Sequence, residues 1–263
     1  MSADLAMGCR RLVGKVVVVA GASTGIGRGT ALRLAAEGAT LIVAAPGSHK
    51  DKIDSLVDEI AAMGSRATGC AFDATDDASI AALIDLATRT YGGIDGVHAN
   101  FADLQILFSD TNALTVTDEV MERTLDVNLK GMMRITRHAL PKLLERGGGA
   151  MIYTSSGAAI AGEPVRPCYA MAKAGINALV RHVASGWGKQ GIRANAIMPG
   201  LVITPELRAT MPTDFQQQVL EKGRSPRLGL VEDIAAMVAL LASRDGEWIS
   251  GQCIAVDGGS TIS

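Results

Sequence analysis

Short apolar runs recur along this chain, separated by longer stretches of helical pattern, and that alternation admits few folds. The runs are Lys15–Ala20, Thr40–Ala45, Ala67–Phe72, Gly96–Ala99, Ala150–Thr154, Arg193–Ile197 and Cys253–Val256. Most are apolar throughout rather than alternating, the pattern of strands covered on both faces. Between them the spacing predicts helices over Gly25–Glu37, Lys50–Met63, Ala78–Tyr91, Thr117–Glu145, Cys168–Lys189 and Val231–Ser243. Within one of these, Leu56, Val57, Ile60, Ala61 and Met63 form a single apolar face. Asp76 or Asp77 is placed to cap the third helix, and Gly38, Gly64 and Gly92 follow three helix ends. Strand–helix alternation with short connections gives a parallel sheet with helices on both sides, an α/β fold. A chain of 263 residues with no break in composition reads as a single domain. Residues 200–229 carry Pro205, Pro212 and Pro226 and no clear strand signal, and read as an insertion that forms a mobile lid.

Composition narrows the function. Lys and Arg number 25 against 27 Asp and Glu, a net charge of −2, so no basic excess exists to neutralise nucleic-acid phosphates. The apolar fraction of 48% rules out a disordered chain. No apolar run reaches the ~20 residues that span a bilayer. Cys9, Cys70, Cys168 and Cys253 are scattered with no C-x-x-C pair, and His49, His98, His138 and His182 make no ligand-spaced set with them, so no metal site is expected. The first residues, MSADLAMGCRRLVGK, lack the apolar core of a leader, and a cytoplasmic protein is expected. Arg10 and Arg11 read as a solvated start to the first strand.

The first strand runs into Gly21-Ala-Ser-Thr-Gly25-Ile-Gly27 and then into an alanine-rich helix. Glycines there permit a tight turn and close approach of a pyrophosphate, and the helix N-terminus supplies free N–H groups and a positive dipole end. The spacing, G-x-x-x-G-x-G, resembles that of the classical short-chain dehydrogenase/reductase family, and the similarity runs from about Leu12 to Gly259. Other segments are similar to the family's in order: Asp73-Ala74-Thr75 after the third strand, Val127-Asn128-Leu129-Lys130-Gly131, Pro199-Gly200 followed by Thr204, and Ile249 to Gly259. One departs: the family's N-N-A-G stands here as Ala99-Asn100-Phe101-Ala102. Asn100 is expected to brace the fourth strand, and Phe101 to alter the cofactor wall. The resemblance implies a Rossmann-type doubly wound sheet in three αβα layers, with a cofactor half over about residues 12–150 and a catalytic half over 151–263. It also implies that Gly21, Ser23, Thr24, Gly25, Ile26, Gly27, Ser48, Asp73, Ala74, Asn100, Pro199, Gly200, Val202 and Thr204, with Tyr169 and Lys173, contact a nicotinamide dinucleotide.

Tyr169 and Lys173 stand at i and i+4, on one face of a predicted helix. A free phenol, with a pKa near ~10, is a poor acid or base at neutral pH. A neighbouring ammonium favours the phenolate, and a phenol so tuned can give a proton to a carbonyl oxygen or take one from an alcohol. The resemblance implies Tyr169 as general acid/base and Lys173 as the group that lowers its pKa and holds the nicotinamide ribose. It implies Ser156 as a hydrogen-bond partner of the reacting oxygen and Asn128 as the holder of a water leading from Lys173 to solvent. Ser155 is the neighbouring alternative to Ser156.

At the end of the second strand Ala45 stands where the family's NAD-binding members carry an acid, and Ser48, His49 and Lys50 follow. NADP(H) is therefore favoured over NAD(H), although Thr24 stands where many NADP-using members carry Arg or Lys. Substrate walls are expected from Phe101–Ser109, Gly162–Pro167 and residues 200–229, with Phe101, Leu104, Ile106, Leu107, Phe108, Val165, Leu207, Met211 and Phe215 making an apolar pocket and Glu163 and Arg166 meeting a polar substrate group. The reaction implied is interconversion of a ketone and a secondary alcohol on a hydrophobic small molecule. A 3-oxoacyl-carrier-protein reductase is the nearest alternative. It is disfavoured because Gly147 and Gln190 stand where such enzymes carry carrier-gripping arginines, although Arg146 is adjacent. A non-catalytic cofactor sensor is the other alternative. The resemblance implies a homotetramer built through the two long helices.

Overall fold

The computed structural model describes residues 9–261. Its strands are β1 (Val16–Ala20), β2 (Thr40–Ala45), β3 (Ala67–Ala71), β4 (Gly96–Ala99), β5 (Gly149–Thr154), β6 (Ile192–Pro199), β7 (Val202–Ile203), β8 (Gly229–Leu230) and β9 (Cys253–Val256). Seven of them form one parallel sheet in the order β3-β2-β1-β4-β5-β6-β9. The helices are α1 (Gly25–Ala36), α2 (Lys50–Ala62), α3 (Asp77–Tyr91), α4 (Asp118–Leu125), α5 (Gly131–Glu145), α6 (Pro167–Trp187), α7 (Pro205–Thr210), α8 (Thr213–Lys222) and α9 (Val231–Ala242). The reading of a missing leader rests largely on residues 1–8, which lie outside the described ones.

The four consecutive valines of β1 show why the strand runs are apolar throughout. Val16 and Val18 face a cluster that includes Ile80 and Leu83 of α3, Ile135 of α5 and Ile176 of α6. Val17 and Val19 face the opposite cluster, with Leu34 of α1, Leu56 of α2 and Val238 of α9. Each face of the sheet is thus covered by helices, and a strand inside such a sandwich has no polar side to alternate with. Asp76 is the residue that caps α3, accepting from the Ala78 N–H at 2.9 Å, while Asp77 is its first helical residue.

Two expectations are corrected. Residues 200–229 contain strand after all: β7 and β8 pair in parallel and pin both ends of the insertion, with α7 and α8 between them. Two-residue strands carry too little periodicity to be seen in sequence. Arg11 is not solvated, because it bonds both oxygens of Glu37 at 2.7 Å and reaches Asp245 at 3.1 Å. Arg33 joins the same carboxylate at 2.7 Å. Burial works to raise the Glu37 pKa, but the two guanidinium partners outweigh it and the net direction is down.

Glu37 is only 3% exposed and ties the entry of β1 to the end of α1. Removing one partner of a buried ion pair strands the other charges, at a typical cost of about 3–5 kcal/mol. Glu37→Gln, which keeps shape and loses the charge, is expected to lower the unfolding free energy, read from the urea midpoint and slope, by an amount at the low end of that range, because both arginines are partly solvated. An unchanged midpoint would show the triad to be dispensable.

Candidate active site

The sheet reverses its winding between β1 and β4, and the loops leaving the carboxyl ends of those two strands open a crevice there. Gly21 leaves β1 with φ +91, and a Cβ on it would stand 2.9 Å from the Asn100 carbonyl and the Phe101 nitrogen. A Cβ on Gly27 would overlap the Gly21 carbonyl oxygen. Both glycines are therefore demanded by close backbone approach. Helix α1 then begins at Gly25 with Thr24 as N-cap, no side chain caps it, and its first turn holds no acid. Uncapped N–H groups at a positive dipole end, inside a cradle that any Cβ would fill, fit the pyrophosphate of a dinucleotide. Ile26 packs on the neighbouring core, Ser23 is buried, and Thr204 Cγ2 would lie 3.0 Å from a Cβ on Gly25.

Asn100 does more than brace β4. Its Nδ2 donates to the Gly21 carbonyl at 3.2 Å and its Oδ1 accepts from Thr154 Oγ1 at 2.7 Å. Since Thr154 donates there, the 2.9 Å contact between Thr154 Oγ1 and His98 Nε2 has the imidazole as donor. His98, Thr154, Asn100 and Gly21 thus form a one-way chain of donors across β4, β5 and the β1 loop. His98 is fully buried, which drives its pKa down to about 3 and keeps it neutral.

Where the adenosine is expected, Asp73 Oδ1 accepts from the Thr75 N–H at 2.8 Å and the Thr75 hydroxyl at 2.7 Å, which lowers its pKa. The Ala74 carbonyl accepts from Arg134 at 3.1 Å. Ala45 is buried at the end of β2, while Pro46, Gly47 and Ser48 are exposed. His49 Nδ1 lies 2.9 Å from Ser23 Oγ, which joins this turn to the glycine loop. Lys50 does not turn toward that loop: its ammonium pairs with Asp54 one helical turn on. Pro199 ends β6, and a Cβ on Gly200 would stand 2.8 Å from Asp257 Cβ beyond β9, so Gly200 serves backbone packing there. Val202 is buried in β7.

Ser156, Tyr169 and Lys173 converge on the carboxyl side of β5. Ser156 follows the strand and starts a short helical turn, its Oγ accepting from the Ala158 N–H at 3.2 Å. That leaves the hydroxyl proton free, and the hydroxyl works to lower the pKa of the Tyr169 phenol. Ser155 is excluded from this role, because it is buried with its hydroxyl on the Lys173 carbonyl at 3.2 Å. Lys173 is 2% exposed; its Nζ donates to the Thr154 carbonyl at 2.8 Å and lies 5.5 Å from the Tyr169 ring centroid. An ammonium has three donors, so N–H groups remain for a ligand. Asn128 sits in a π-helical turn, Asp126–Lys130, that joins α4 to α5. Its Oδ1 accepts from the Asp103 N–H at 2.8 Å, and its Nδ2 is buried without a partner. An open buried ammonium and an orphaned amide fit a polar ligand in this crevice.

The electrostatics differ from the simple picture of a lysine-lowered phenol. Burial pushes the Tyr169 pKa up, and the Ser156 hydrogen bond and Arg166 only partly oppose it. Burial also lowers Lys173 from 10.5 to about 8. The net direction for Tyr169 favours the neutral phenol, which is the proton-donor form.

The expected substrate walls divide. Phe101 is 7% exposed and stacks edge-to-face on Phe72 at 5.3 Å, with its Cε2 2.9 Å from where a Gly131 Cβ would be. It is core, and the smaller residues of the usual motif are replaced because Gly131 leaves room for the ring. Leu104, Phe108, Val165 and Phe215 are exposed. Glu163 and Arg166 are spent on each other at 2.6 Å. Sequence reasoning missed Asp110, whose carboxylate is buried at the start of α6 and accepts from the Tyr169 N–H at 2.8 Å. Nothing local marks it, since its partners lie in a distant helix. Among the described residues no group of His, Cys, Asp or Glu is arranged to hold a metal, and no helix is long and apolar enough to cross a membrane.

Comparison with known proteins gives a consistent result. A family model described as enoyl-(acyl carrier protein) reductase matches residues 21–261. A probable short-chain type dehydrogenase/reductase of Bradyrhizobium diazoefficiens is 36% identical over 95% of this chain and 88% of its own. A 7α-hydroxysteroid dehydrogenase of Bacteroides fragilis is 31% identical, with 96% of both chains covered. A solved 7α-hydroxysteroid dehydrogenase, complexed with NADH and 7-oxo glycochenodeoxycholic acid, superposes with a TM-score of 0.88 over 98% of each chain at 29% identity.

Burying Lys173 is costly. A pKa lowered from 10.5 to about 8 corresponds to roughly 3 kcal/mol lost at neutral pH. Lys173→Met removes that cost and forfeits about 1 kcal/mol for the Thr154 carbonyl hydrogen bond. The variant is expected to be more stable than the parent by about 2 kcal/mol at pH 7. Because the folded pKa lies below the unfolded one, the parent should gain stability as pH rises from 8 toward 10.5 and the gap should close. Denaturant unfolding at pH 7 and pH 10 checks both; a variant less stable at pH 7 overturns the account.

Proposed function

The chain belongs to the classical short-chain dehydrogenase/reductase family and is an NAD(P)-dependent oxidoreductase that interconverts a ketone and a secondary alcohol, and on that premise we propose how its own residues carry the reaction. Tyr169 gives its phenolic proton to the carbonyl oxygen in reduction and takes a proton from the alcohol in oxidation. The observation that carries this assignment is the buried Lys173 ammonium 5.5 Å from the Tyr169 ring, with the Ser156 hydroxyl working to lower the phenol's pKa. Ser156, with its Oγ already accepting from Ala158, has its proton available for the substrate oxygen. Lys173 stabilises the phenolate that remains after proton transfer and holds the ribose of the cofactor. When bound, the nicotinamide supplies or accepts the hydride. Asn128 holds the water that passes protons from Lys173 to solvent. The neutral phenol favoured by burial suits ketone reduction near neutral pH, whereas oxidation should accelerate as the medium becomes alkaline.

The cofactor preferred is NADP(H). No carboxylate stands at the end of β2 to repel a 2′-phosphate, and the exposed Ser48 and the adjoining His49 are the groups that receive it; Lys50, engaged by Asp54, is set aside. The substrate is a bulky apolar ketone or alcohol, supported by the exposed Leu104, Phe108, Ile160 and Val165 on the loops after β4 and β5 and by the hydroxysteroid activity that relatives' names state. The 3-oxoacyl-carrier-protein reductase reading is weaker, because Arg146 is held by Asp95 at 3.2 Å. Half-exposed Met133 on α5 and Met171 on α6 support assembly through those helices into a homotetramer.

Tyr169→Phe keeps the ring and removes the transferable proton, so kcat should fall at least ~10²-fold while cofactor binding persists. The assay is NADPH oxidation at neutral pH with a panel of apolar ketones and a 3-oxoacyl thioester; near-normal turnover by the variant refutes the assignment. For the cofactor, the parent should bind NADPH more tightly than NADH. Ser48→Asp, on an exposed position, should weaken NADPH by about tenfold or more and leave NADH nearly unchanged. Tighter NADH binding by the parent, measured by fluorescence titration, would reverse the preference.

A further inference from the structure

Helix α6 carries Tyr169 and Lys173, yet it begins without a cap of its own. Its N-cap residue, Arg166, has φ 65 and ψ 46, and is the non-glycine residue with positive φ among those described. The Arg166 side chain turns to Glu163 and makes no cap. Pro167, at the first helical position, has no N–H. The first donors in need of a partner are the N–H groups of Cys168 and Tyr169. Both are taken by one carboxylate from the loop after β4: Asp110 Oδ1 accepts from Cys168 at 3.3 Å, and Oδ2 accepts from Tyr169 at 2.8 Å.

The contact runs in both directions. The Arg166 N–H donates to the carbonyl oxygens of Asp110 and Thr111, each at 3.1 Å. A negative group at the positive end of a helix of 21 residues adds dipole stabilisation to these bonds. Asp110 is 2% exposed, so the clasp is shielded from competing water. Two residues before it stands Phe108, on the expected substrate wall, and the same loop begins near Asp103, whose N–H donates to Asn128 Oδ1.

We propose that Asp110 is a positioning residue for the reaction: it caps the catalytic helix from a separate loop, fixes the backbone of Tyr169, and so sets the phenol against Ser156. This rests on the reading of Tyr169 as the acid/base. Fixing the N–H of Tyr169 fixes the direction of its side chain, and a misplacement of about 1 Å at such a group costs on the order of 10²-fold in rate. The same clasp ties the loop after β4 to the start of α6, so that the position of Asp110 and the placement of the phenol are set together.

The test compares Asp110→Ala, Asp110→Asn and a control, Asp76→Ala, which removes the cap of a different helix, α3, and leaves the start of α6 untouched. Each is assayed for kcat and KM with the best ketone, for NADPH dissociation constant, and for thermal midpoint. Asp110→Ala should lower kcat by about 10²-fold with the NADPH constant within twofold of the parent. Asp110→Asn, which retains one acceptor oxygen, should recover about tenfold of that loss. Asp76→Ala should lower the midpoint and leave kcat within twofold. If kcat of both Asp110 variants stays within twofold, or if the Asp76 control loses kcat equally, the proposal is overturned; should Asp110→Ala fail to fold, Asp110→Asn is judged by the same criterion. Loss of activity in Asp110→Ala alongside an active Tyr169→Phe would instead overturn the Tyr169 assignment on which the proposal rests.

Discussion

The close contact of the β1 loop with the end of β4 sets the position of everything else at the site. A parallel sheet that winds outward in both directions from its middle must leave a gap where the winding reverses. Here that gap lies between β1 and β4, and it is narrowed until the Gly21 loop touches the Asn100 backbone. The two sides are held in register by a chain of donors from His98 through Thr154 and Asn100 to Gly21. Thr154 is the junction of the network, since its backbone carbonyl also takes the Lys173 ammonium. The glycine loop and Lys173 are therefore referred to a single residue at the end of β5.

That geometry is held against a stability cost. Lys173 and His98 are both buried, and burial lowers both, to about 8 and about 3. His98 contributes fully only above the ordinary imidazole range, near pH 6.5, and loses its contribution progressively as acid approaches its folded value. Asn128 Nδ2 and His98 Nδ1 are buried without partners. Such groups are tolerated because two apolar clusters, one on each face of the sheet, hold the strands on which they stand. An unsatisfied donor such as Asn128 Nδ2 leaves the crevice less stable alone than with a ligand that satisfies it.

The sheet was legible because burial on both faces leaves an unmistakable run, as Val16–Val19 shows. The glycine loop was legible because close backbone contact permits no substitute at Gly21 or Gly27. Tyr169 and Lys173 were legible because a helix puts i and i+4 together. What escaped reading depends on contacts between distant segments. Phe101 looks like a wall residue until Gly131 and Phe72 are seen to make room for it. Lys50 looks like a phosphate ligand until Asp54 claims it. The π-helical turn at Asn128 interrupts what sequence presents as one helix over Thr117–Glu145, because the apolar pattern continues across it.

The left-handed Arg166 explains why the start of α6 takes its cap from elsewhere. A chain entering a helix in extended conformation can cap it with its own side chain, as Thr117 caps α4. The positive φ at Arg166 instead turns its N–H back onto the carbonyls of Asp110 and Thr111. Left-handed backbone in a residue with a Cβ costs on the order of 1 kcal/mol, a strain that persists only where surrounding bonds over-determine it. The two N–H bonds from α6 to the Asp110 carboxylate and the return bonds from Arg166 are those constraints. All of these constraints run through Asp110 and Thr111, so on the proposed reading a change at Asp110 releases the strained turn and the helix start together.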